Sequence, residues 1–285
     1  MKDHRDEFAV EKMCRVFKVS RSGFYSWLTR KPSRREQQRE VLSKDIYMIH
    51  SQSKGRYGSP KITIELKDRG FSVSRQRVAR IMRANGVRSM ISGKFRVCTT
   101  DSNHGFKISP NILDRNFSPS GPAKTWVSDI TYIKTGEGWL YLTMIMDLYD
   151  RKIIGWSMSE TMHADQTVIP AWRMAQINRP FFKGLVFHSD RGIQYACSEF
   201  RKGLNPEKVS QSMSRKGNCW DNAVAESFFK ILKSETGYRK YGSIMQAKHE
   251  IFEFIEIWYN RMRRHSALGY LTPEQFGKTN KKIAA

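Results

Sequence analysis

The sequence has few cysteines, a shortage of acidic side chains and no long apolar run. Its four cysteines are Cys14, Cys98, Cys197 and Cys219. They form no close pair and no C-x-x-C motif, which argues against a zinc finger and against a disulfide framework. The most apolar stretch, Trp139–Met146, is too short to cross a bilayer, and residues 1–12 are too charged for a signal peptide. These absences predict a cytoplasmic protein without a membrane segment.

The shortage of acids leaves a large positive charge. Lys and Arg number 50 against 27 Asp and Glu, which gives a net charge of +23 and a pI near 10.0. Such an excess repels itself unless a polyanion neutralises it, and nucleic acid is the usual polyanion. A basic ribosome-associated or membrane-surface protein would carry a similar charge. The excess is +15 over residues 1–120 and +8 over residues 121–285, so we expect nucleic-acid contact mainly in the first half.

Residues 1–40 have the pattern of two short helices around a turn. Apolar residues recur at helical spacing on either side of it, namely Val10, Met13, Cys14 and Phe17, then Phe24, Trp27 and Leu28. Ser20 is placed to cap the second helix. We expect a first helix-turn-helix-like segment here, ending in a charged stretch that leads into another helix.

Residues 41–91 repeat the pattern more clearly. A helix ends before Gly55, Ser59 supplies an N-cap followed by Pro60, and Ser74 starts a further helix that ends at Gly86. That last helix presents four arginines, Arg75, Arg77, Arg80 and Arg83. In a major groove, such a helix places basic side chains on phosphates and base edges. An ordinary solvated basic helix in a helical hairpin is the alternative.

The stretch over residues 92–120 has weak periodicity, and Ser, Asn, Pro and Gly are frequent in it. We expect residues 41–91 to be a second helix-turn-helix-like DNA-binding domain, and residues 92–120 to be a linker.

From residue 121 onward, strand and helix patterns alternate. The order is three strands, helix, strand, helix, strand and helix, over residues 125–134, 139–149, 152–159, 164–177, 184–189, 198–204, 209–213 and 221–236. This predicts a mixed sheet with flanking helices, the α/β order of a ribonuclease-H-like domain, over residues 121–285. Capping-box residues begin further helices at Ser243 and Thr272, and the lysine-rich tail after Gly277 is expected to fray.

Three acidic residues occupy places that such a fold can bring together. Asp129 lies in the first strand, Asp190 follows the fourth, and Glu226 lies in the helix after the fifth. Phosphodiester chemistry needs hard oxygen ligands, and converging carboxylates can hold Mg²⁺ while substrate phosphate oxygens complete its shell. Each acid also has an ordinary interpretation: a strand-edge ion pair, a turn residue or a solvated helix face.

Helical periodicity does not decide where Glu226 points. Its face holds Asn222, Glu226, Lys230 and Lys233, and the opposite face holds Val224, Phe228 and Ile231. If the apolar face packs on the sheet, Glu226 points away from it. A second possible packing face consists of Ala223, Ala225 and Phe229. The rival acidic ligands are Asp147, Asp150 and Asp221, although Asp221 lies where a helix cap would be expected. Three histidines lack metal spacing and are expected to be structural or to contact DNA, namely His163, His188 and His265.

Six stretches of the chain are similar to one known family. They are Gly55–Pro60, Trp126–Tyr132, Asp147–Trp156, His188–Gly192, Ser212–Ala223 with Glu226, and Tyr259–Asn260 with Arg264–Tyr270. In this order, and with 35 residues between Asp190 and Glu226, they resemble the second-frame (OrfB-type) proteins of the insertion-sequence-three family of bacterial transposases, relatives of retroviral integrases. The resemblance covers nearly the whole chain.

The resemblance implies a metal-dependent enzyme. Asp129, Asp190 and Glu226 would be its catalytic and metal-binding triad, with two Mg²⁺ or Mn²⁺ ions once substrate is bound. The other two strand-end acids, Asp147 and Asp150, would be structural. The implied reaction is hydrolysis at a transposon end to release a 3′-hydroxyl, then attack of that hydroxyl on another phosphodiester, without a covalent enzyme intermediate.

The resemblance also implies partners. Double-stranded DNA would be bound at terminal repeats and at the target. The expected contacts near the triad are Lys233, Lys230, Arg191 and Asn222. The family's full transposase is often a frameshift fusion with an upstream helix-turn-helix and leucine zipper, whereas this chain has no heptad repeat. We therefore expect an upstream-frame product or fusion, self-association on DNA, and residence at the bacterial nucleoid. Two rival functions are a DNA-binding regulator with structural acids and a ribonuclease-H-like nuclease that cuts without joining.

Overall fold

The computed structural model describes residues 1–90, 105–236 and 241–281. The chain divides into two compact units, Met1–Ser89 and Met90–Ala285. Both predicted helix-turn-helix-like segments fall in the first unit, except for residues 90 and 91 at the end of the second segment. No helix in the described ranges is long and apolar enough to cross a membrane.

Helices make up the first unit. After a 3-10 turn at Lys2–His4 they are α1 (Val10–Val16), α2 (Arg21–Thr29), α3 (Arg34–Gln52), α4 (Ser59–Asp68) and α5 (Arg75–Ala84). The helices expected in both N-terminal segments are therefore present. Of the apolar stripes expected in α1 and α2, Met13, Cys14 and Phe24 are buried, whereas Phe17 and Trp27 are exposed.

The α4–α5 pair packs its apolar sides together. Its fully buried residues are Ile62, Leu66 and Val78. The start of α4 differs from the prediction by one residue, because Gly58 in extended backbone is the N-cap and Ser59 is already helical. Ser74 caps α5 as expected, since its Oγ accepts from the N–H of Arg77 at 3.3 Å. Gly86 follows α5 with φ +67°, a conformation that favours glycine.

The second unit is built on a five-stranded mixed sheet, as predicted. The strands are β1 (Thr125–Thr135), β2 (Gly138–Asp147), β3 (Ile153–Ser159), β4 (Leu185–Ser189) and β5 (Val209–Met213), in the order β3-β2-β1-β4-β5. β1, β2 and β3 form the expected antiparallel meander. β4 is parallel to β1, and β5 is parallel to β4. The sheet therefore changes from antiparallel to parallel at β1.

One face of the sheet packs on α6 (Val168–Asn178), which begins four residues later than predicted. Its buried side chains are Val168, Ala171, Trp172 and Ala175. The approach to β3 is close, because a Cβ on Gly155 would collide with the carbonyl oxygen of Ala171. Two short helices, α7 (Ile193–Ala196) and α8 (Ser198–Gly203), connect β4 to β5. The sequence predicted only α8.

Helices complete the carboxyl-terminal part. A 3-10 turn at Cys219–Asn222 leads into α9 (Ala223–Glu235), followed by α10 (Ile244–Glu253), a π-helical stretch at Phe254–Met262, a 3-10 turn at Ser266–Leu268 and α11 (Pro273–Lys281). The capping box of α11 is reciprocal, because Thr272 and Gln275 each accept from the other's backbone N–H. The expected fraying after Gly277 is wrong up to Lys281, where α11 still continues. Residues 282–285 lie outside the described ranges.

Part of the predicted linker packs on the sheet edge. Residues 91–104 lie outside the described ranges, and residues 105–120 have no helix or strand. The backbone N–H groups of Ile112 and Leu113 donate to the Oγ of Ser212 in β5 at 2.9 and 3.1 Å. Leu113 is buried. Residues 105–120 therefore belong to the second unit and are not a free linker.

Candidate active site

Strand pairing aligns two of the predicted acids. β1 runs parallel to β4 in the register of Val127 to His188, and β4 ends at Ser189. If this register is continued by two residues, Asp129 lies opposite Asp190. Neighbouring strands of a sheet are about 4.8 Å apart. Paired residues of parallel strands leave the same face of the sheet, so both carboxylates start from one face.

The backbone holds one oxygen of each of these carboxylates. Oδ1 of Asp129 accepts from the N–H of Ile130 at 2.9 Å. Oδ1 of Asp190 accepts from the N–H of Gly192, also at 2.9 Å, in the turn that enters α7. Each acid is therefore oriented by the chain immediately after it.

The third acid is placed by the rotation of α9. Its buried side chains include Ala225, Phe228, Phe229 and Leu232. Val224 and Ile231 are only half-buried. The packing face of α9 therefore lies between the two faces that the sequence left open, because it takes Phe228 from one and Ala225 and Phe229 from the other. Glu226 lies outside this packing face and is exposed.

The three acids act on one another electrostatically. Burial raises the pKa of Asp129 well above its usual value, and the charges of Asp190 and Glu226 raise it further. Burial and the charge of Asp190 also raise the pKa of Glu226. Mutual repulsion of this kind requires proximity in a poorly solvated place. Asp129, Asp190 and Glu226 therefore lie within electrostatic range of one another.

Ser128, immediately before Asp129, is fully buried and hydrogen-bonded on two sides. Its Oγ donates to the carbonyl of Met144 in β2 at 2.8 Å, and the hydroxyl of Tyr195 lies 2.7 Å from the same Oγ. Because the serine proton is already used, the tyrosine O–H is the donor. Burial and the charges of the neighbouring acids raise the pKa of Tyr195 well above its usual value, which keeps this donor protonated.

A second bond connects Ser128 to the helix of Glu226. The side-chain Nδ2 of Asn222 donates to the carbonyl of Ser128 at 3.2 Å, and Asn222 is the N-cap residue of α9. Its side chain is only 4% exposed, which argues against the predicted DNA contact. Within the described part of the chain, its buried Oδ1 has no hydrogen-bond partner. Asn222 thus joins two catalytic elements and leaves one oxygen unsatisfied.

The donor set fits a hard divalent cation. Carboxylates are the oxygen ligands that Mg²⁺ prefers, and a cation would relieve the repulsion that raises the pKa values of Asp129 and Glu226. Across residues 1–90, 105–236 and 241–281, no group of three or more His, Cys, Asp or Glu side chains is already close enough to hold a metal ion.

Basic side chains lie beside the acids. Lys233 is half-buried on α9, where burial lowers its pKa and the charge of Asp129 opposes that shift. Lys230, one turn earlier, is exposed. Arg191, next to Asp190, donates through Nε to the carbonyl of Ser214 at 2.6 Å.

The rival acids have other partners. Asp147 and Asp150 are buried, and Arg179 reaches both at 2.7 and 2.6 Å. Asp221 is fully buried, and its carboxylate accepts from Arg115 at 3.0 Å and from Arg215 at 2.8 Å. The hydrogen bond from the Arg215 side chain has the largest effect on the pKa of Asp221, and together with the bond from Arg115 it holds that pKa below its usual range. Asp221 is therefore an anchor for two arginines and not the helix cap that its position suggested.

The histidine of β4 is structural. His188 is fully buried, with its ring nitrogens 2.8 Å from the Oγ of Ser212 and 3.2 Å from the Oγ of Ser214. Burial lowers its pKa to about 4, so the ring is neutral at pH 7. Of the other two predicted histidines, His265 is buried and His163 is exposed.

The first unit presents the predicted basic face. Arg75, Arg77, Arg80 and Arg83 are all exposed on α5, whereas Val78, Ile81 and Met82 on its other side are buried. This arrangement leaves the arginine face available for DNA.

Sequence reasoning missed Ser128 and Tyr195. A polar residue between Val127 and Asp129 in a buried strand was the available signal, because buried hydroxyls need partners. No local signal identified Tyr195, because a tyrosine beside Ala196 is typical of a packed core.

Comparisons with known proteins identify the family of this chain. A family model described as an HTH-like domain matches residues 36–95, and two models described as an integrase core domain match residues 119–219 and 207–273. The transposase InsF for insertion sequence IS3A of Escherichia coli (strain K12) is 41% identical over 282 residues, covering 97% of this chain and 96% of that protein. The insertion element IS600 uncharacterized 31 kDa protein of Shigella sonnei is 41% identical over 274 residues, covering 96% of this chain and 100% of that protein.

Two solved structures show weaker likeness. A simian T-cell lymphotropic virus intasome in complex with PP2A regulatory subunit B56 gamma has a TM-score of 0.46 and 14% identity, covering 83% of this chain and 74% of that chain. The HTLV-2 integrase catalytic core domain in complex with magnesium, in its trimeric form, has a TM-score of 0.41 and 15% identity, covering 55% of this chain and 97% of that chain.

Proposed function

Because this chain belongs to the insertion-sequence-three (IS3) family of transposases, we propose that it cuts DNA at the ends of its own insertion sequence and joins the released 3′ ends to target DNA. It has the integrase core of that family and acts in transposition and DNA integration as a DDE-type polynucleotidyl transferase. The observation that supports the assignment of its residues is the β1–β4 register, which pairs Val127 with His188 and, continued by two residues, would set Asp129 opposite Asp190.

Asp129, Asp190 and Glu226 are the metal-binding and catalytic residues in this proposal. Two Mg²⁺ or Mn²⁺ ions, bound together with substrate, would activate the attacking oxygen and stabilise the leaving one. The chain's own part is to bring three carboxylates to one place from two strand ends and a helix, although they repel one another. The backbone N–H groups of Ile130 and Gly192 keep two of the carboxylates oriented.

Lys233 and Lys230 bind DNA phosphates beside the triad, together with Arg191. The attraction between Lys233 and Asp129 supports this placement for Lys233, and the exposure of Lys230 supports it for that residue. The guanidinium of Arg191 is oriented by its bond to the carbonyl of Ser214, which would limit it to phosphate near Asp190.

Ser128, Tyr195 and Asn222 position the acids without touching substrate. Ser128 bonds both to Tyr195, which follows Asp190, and to Asn222, which precedes Glu226. All three side chains are buried. They therefore fix the relative places of the strand and the helix that carry the acids.

The first unit supplies DNA recognition. We assign residues 1–40 and 41–91 to two helix-turn-helix-like segments and residues 121–285 to the catalytic domain, with DNA bound through Arg75, Arg77, Arg80 and Arg83. The partners would be the terminal repeats, target DNA, a second copy of this chain on DNA, and the upstream-frame product, either separate or as a fusion. The place of action would be the nucleoid.

A cleavage and joining assay tests the proposal. Labelled DNA with the element's own end is incubated with Mg²⁺, with and without the upstream-frame product. Wild type is compared with Asp190→Asn and with Asp165→Asn, which changes an exposed acid outside the site. Cut and joined products are expected from wild type and Asp165→Asn, and neither product is expected from Asp190→Asn or in the presence of EDTA. Cleavage without joining would indicate a nuclease, and binding without cleavage in both preparations would indicate a regulator.

A further inference from the structure

Trp220 stands out beside the catalytic helix because its side chain is 69% exposed. None of the functions assigned above uses it. We infer that the indole of Trp220 is a stacking platform for one unpaired DNA base next to the cleaved phosphodiester. The inference rests on the proposed function, because it takes the DNA end as the ligand.

The turn that carries Trp220 is fixed on both sides. Asp221, the next residue, is fully buried and is bonded to Arg115 and Arg215, and its backbone N–H donates to the carbonyl of Asn218 at 3.3 Å. Asn222 is buried and bonded to Ser128. The exposure of Trp220 is therefore set by its anchored neighbours and not by a loose loop.

The same anchors place Trp220 near the reacting centre. The Cα atoms of Trp220 and Asn222 are no more than about 7 Å apart, because Asn222 is only two residues further along the chain. Asn222 in turn touches the carbonyl that immediately precedes Asp129, and Glu226 follows one helical turn later. An indole on this turn is within reach of nucleotides that flank the scissile phosphate.

The charge around Trp220 favours nucleic acid. Lys216 and Lys230 are exposed before and after Trp220 in the sequence, and Asp221, the residue that follows it, is buried and bonded to Arg115 and Arg215. Proteins bind single-stranded nucleic acid by combining basic side chains, which contact the phosphates, with aromatic side chains on which bases stack.

A protein partner fits this surface less well. The core of a protein interface needs contiguous apolar area, whereas the described neighbours of Trp220 along the chain, Arg215 to Asn218, are polar or glycine. A single aromatic ring among cations is large enough for one base. Stacking there requires the terminal base pair to open, so Trp220 would hold the DNA end in its unpaired form.

The test measures binding in the Asp190→Asn background, where cleavage cannot interfere. Three probes carry the element's end with the base beside the cleavage site paired, unpaired or removed as an abasic site. We expect unpaired DNA to bind about tenfold more tightly than abasic DNA, which is the effect of stacking one base. Trp220→Ala should bind unpaired and abasic DNA equally, and Trp220→Phe should retain most of the preference for unpaired DNA.

Trp139→Ala is the matched control. Trp139 is 50% exposed and lies on β2 five residues from Met144, the partner of Asp129, which is about 17 Å along the strand. In Trp139→Ala, the ratio of the affinities for unpaired and abasic DNA should equal that of the Asp190→Asn parent. An unchanged ratio in Trp220→Ala would overturn the inference, as would a loss confined to self-association or to binding of the upstream-frame product. If the parent bound none of the probes, the proposed function would fail as well, so the two failures can be told apart.

Discussion

The hydroxyl of Tyr195 lies 2.7 Å from the Oγ of Ser128, and both residues are buried. Ser128 directly precedes Asp129 in β1, and Tyr195 lies in α7, the helix entered from the turn of Asp190. This bond therefore connects the two segments whose carboxylates are expected to bind metal. It offers a way to disturb their relative positions without touching either acid.

Tyr195→Phe should weaken metal use more than it weakens the fold. Loss of one buried hydrogen bond costs about 1 kcal/mol of the free energy of unfolding. Because the two acids would be held less firmly, we expect the Mg²⁺ concentration for half-maximal cleavage to rise about tenfold. Tyr47→Phe removes a comparable hydroxyl bond, to the carbonyl of Asn85 at 3.0 Å in the first unit, and should leave that concentration unchanged. Equal metal requirements in the two variants would refute the positioning role.

Arg77→Ala combined with Arg80→Ala should weaken binding to DNA. Both side chains are exposed on α5. Each phosphate contact contributes about 0.9 to the slope of log affinity against log salt, so two lost contacts should flatten that slope by about 2. Affinity measured over a range of salt concentrations checks this. Lys67→Ala, which removes an exposed charge from α4, should change little. If the double variant kept the wild-type slope, α5 would not be the DNA-binding helix.

Glu235→Ala should destabilise the second unit strongly. Glu235 ends α9 and accepts from Nε1 of Trp258 at 2.7 Å and from Nε of Arg263 at 2.9 Å. Its removal leaves a buried guanidinium without its carboxylate, which costs about 3–5 kcal/mol. Urea unfolding measures the change, with the exposed Glu199→Ala as control. A loss below about 1 kcal/mol would show that this ion pair does not hold α9 in place.

The sequence predicted the five strands and the antiparallel pairing of the first three, because these strands have clear apolar patterns and tight turns. α7 was missed because its four residues are too few for periodicity to show. The side chain of Ser59 was expected to cap α4, but the backbone of Gly58 already supplies the extended N-cap conformation.

The site was less predictable than the fold. Two faces of α9 were possible from periodicity, and only packing against the sheet decides that Ala225 and Phe229 are buried beside Phe228. Asp221 looked like a helix cap because caps are local, whereas its arginine partners include Arg115, more than a hundred residues away. Long-range contacts of this kind are not visible in local sequence patterns.

The central claim is that Asp129, Asp190 and Glu226 form one metal site, and Mn²⁺ binding tests it most directly. Mn²⁺ binding to the protein on uncleaved end DNA is measured by the electron paramagnetic resonance signal of unbound Mn²⁺. Asp129→Asn, Asp190→Asn and Glu226→Gln should each remove the same binding event, and the exposed Glu199→Gln should retain it. If Glu226→Gln bound Mn²⁺ as wild type does and still cut DNA, the three acids would not act as one site.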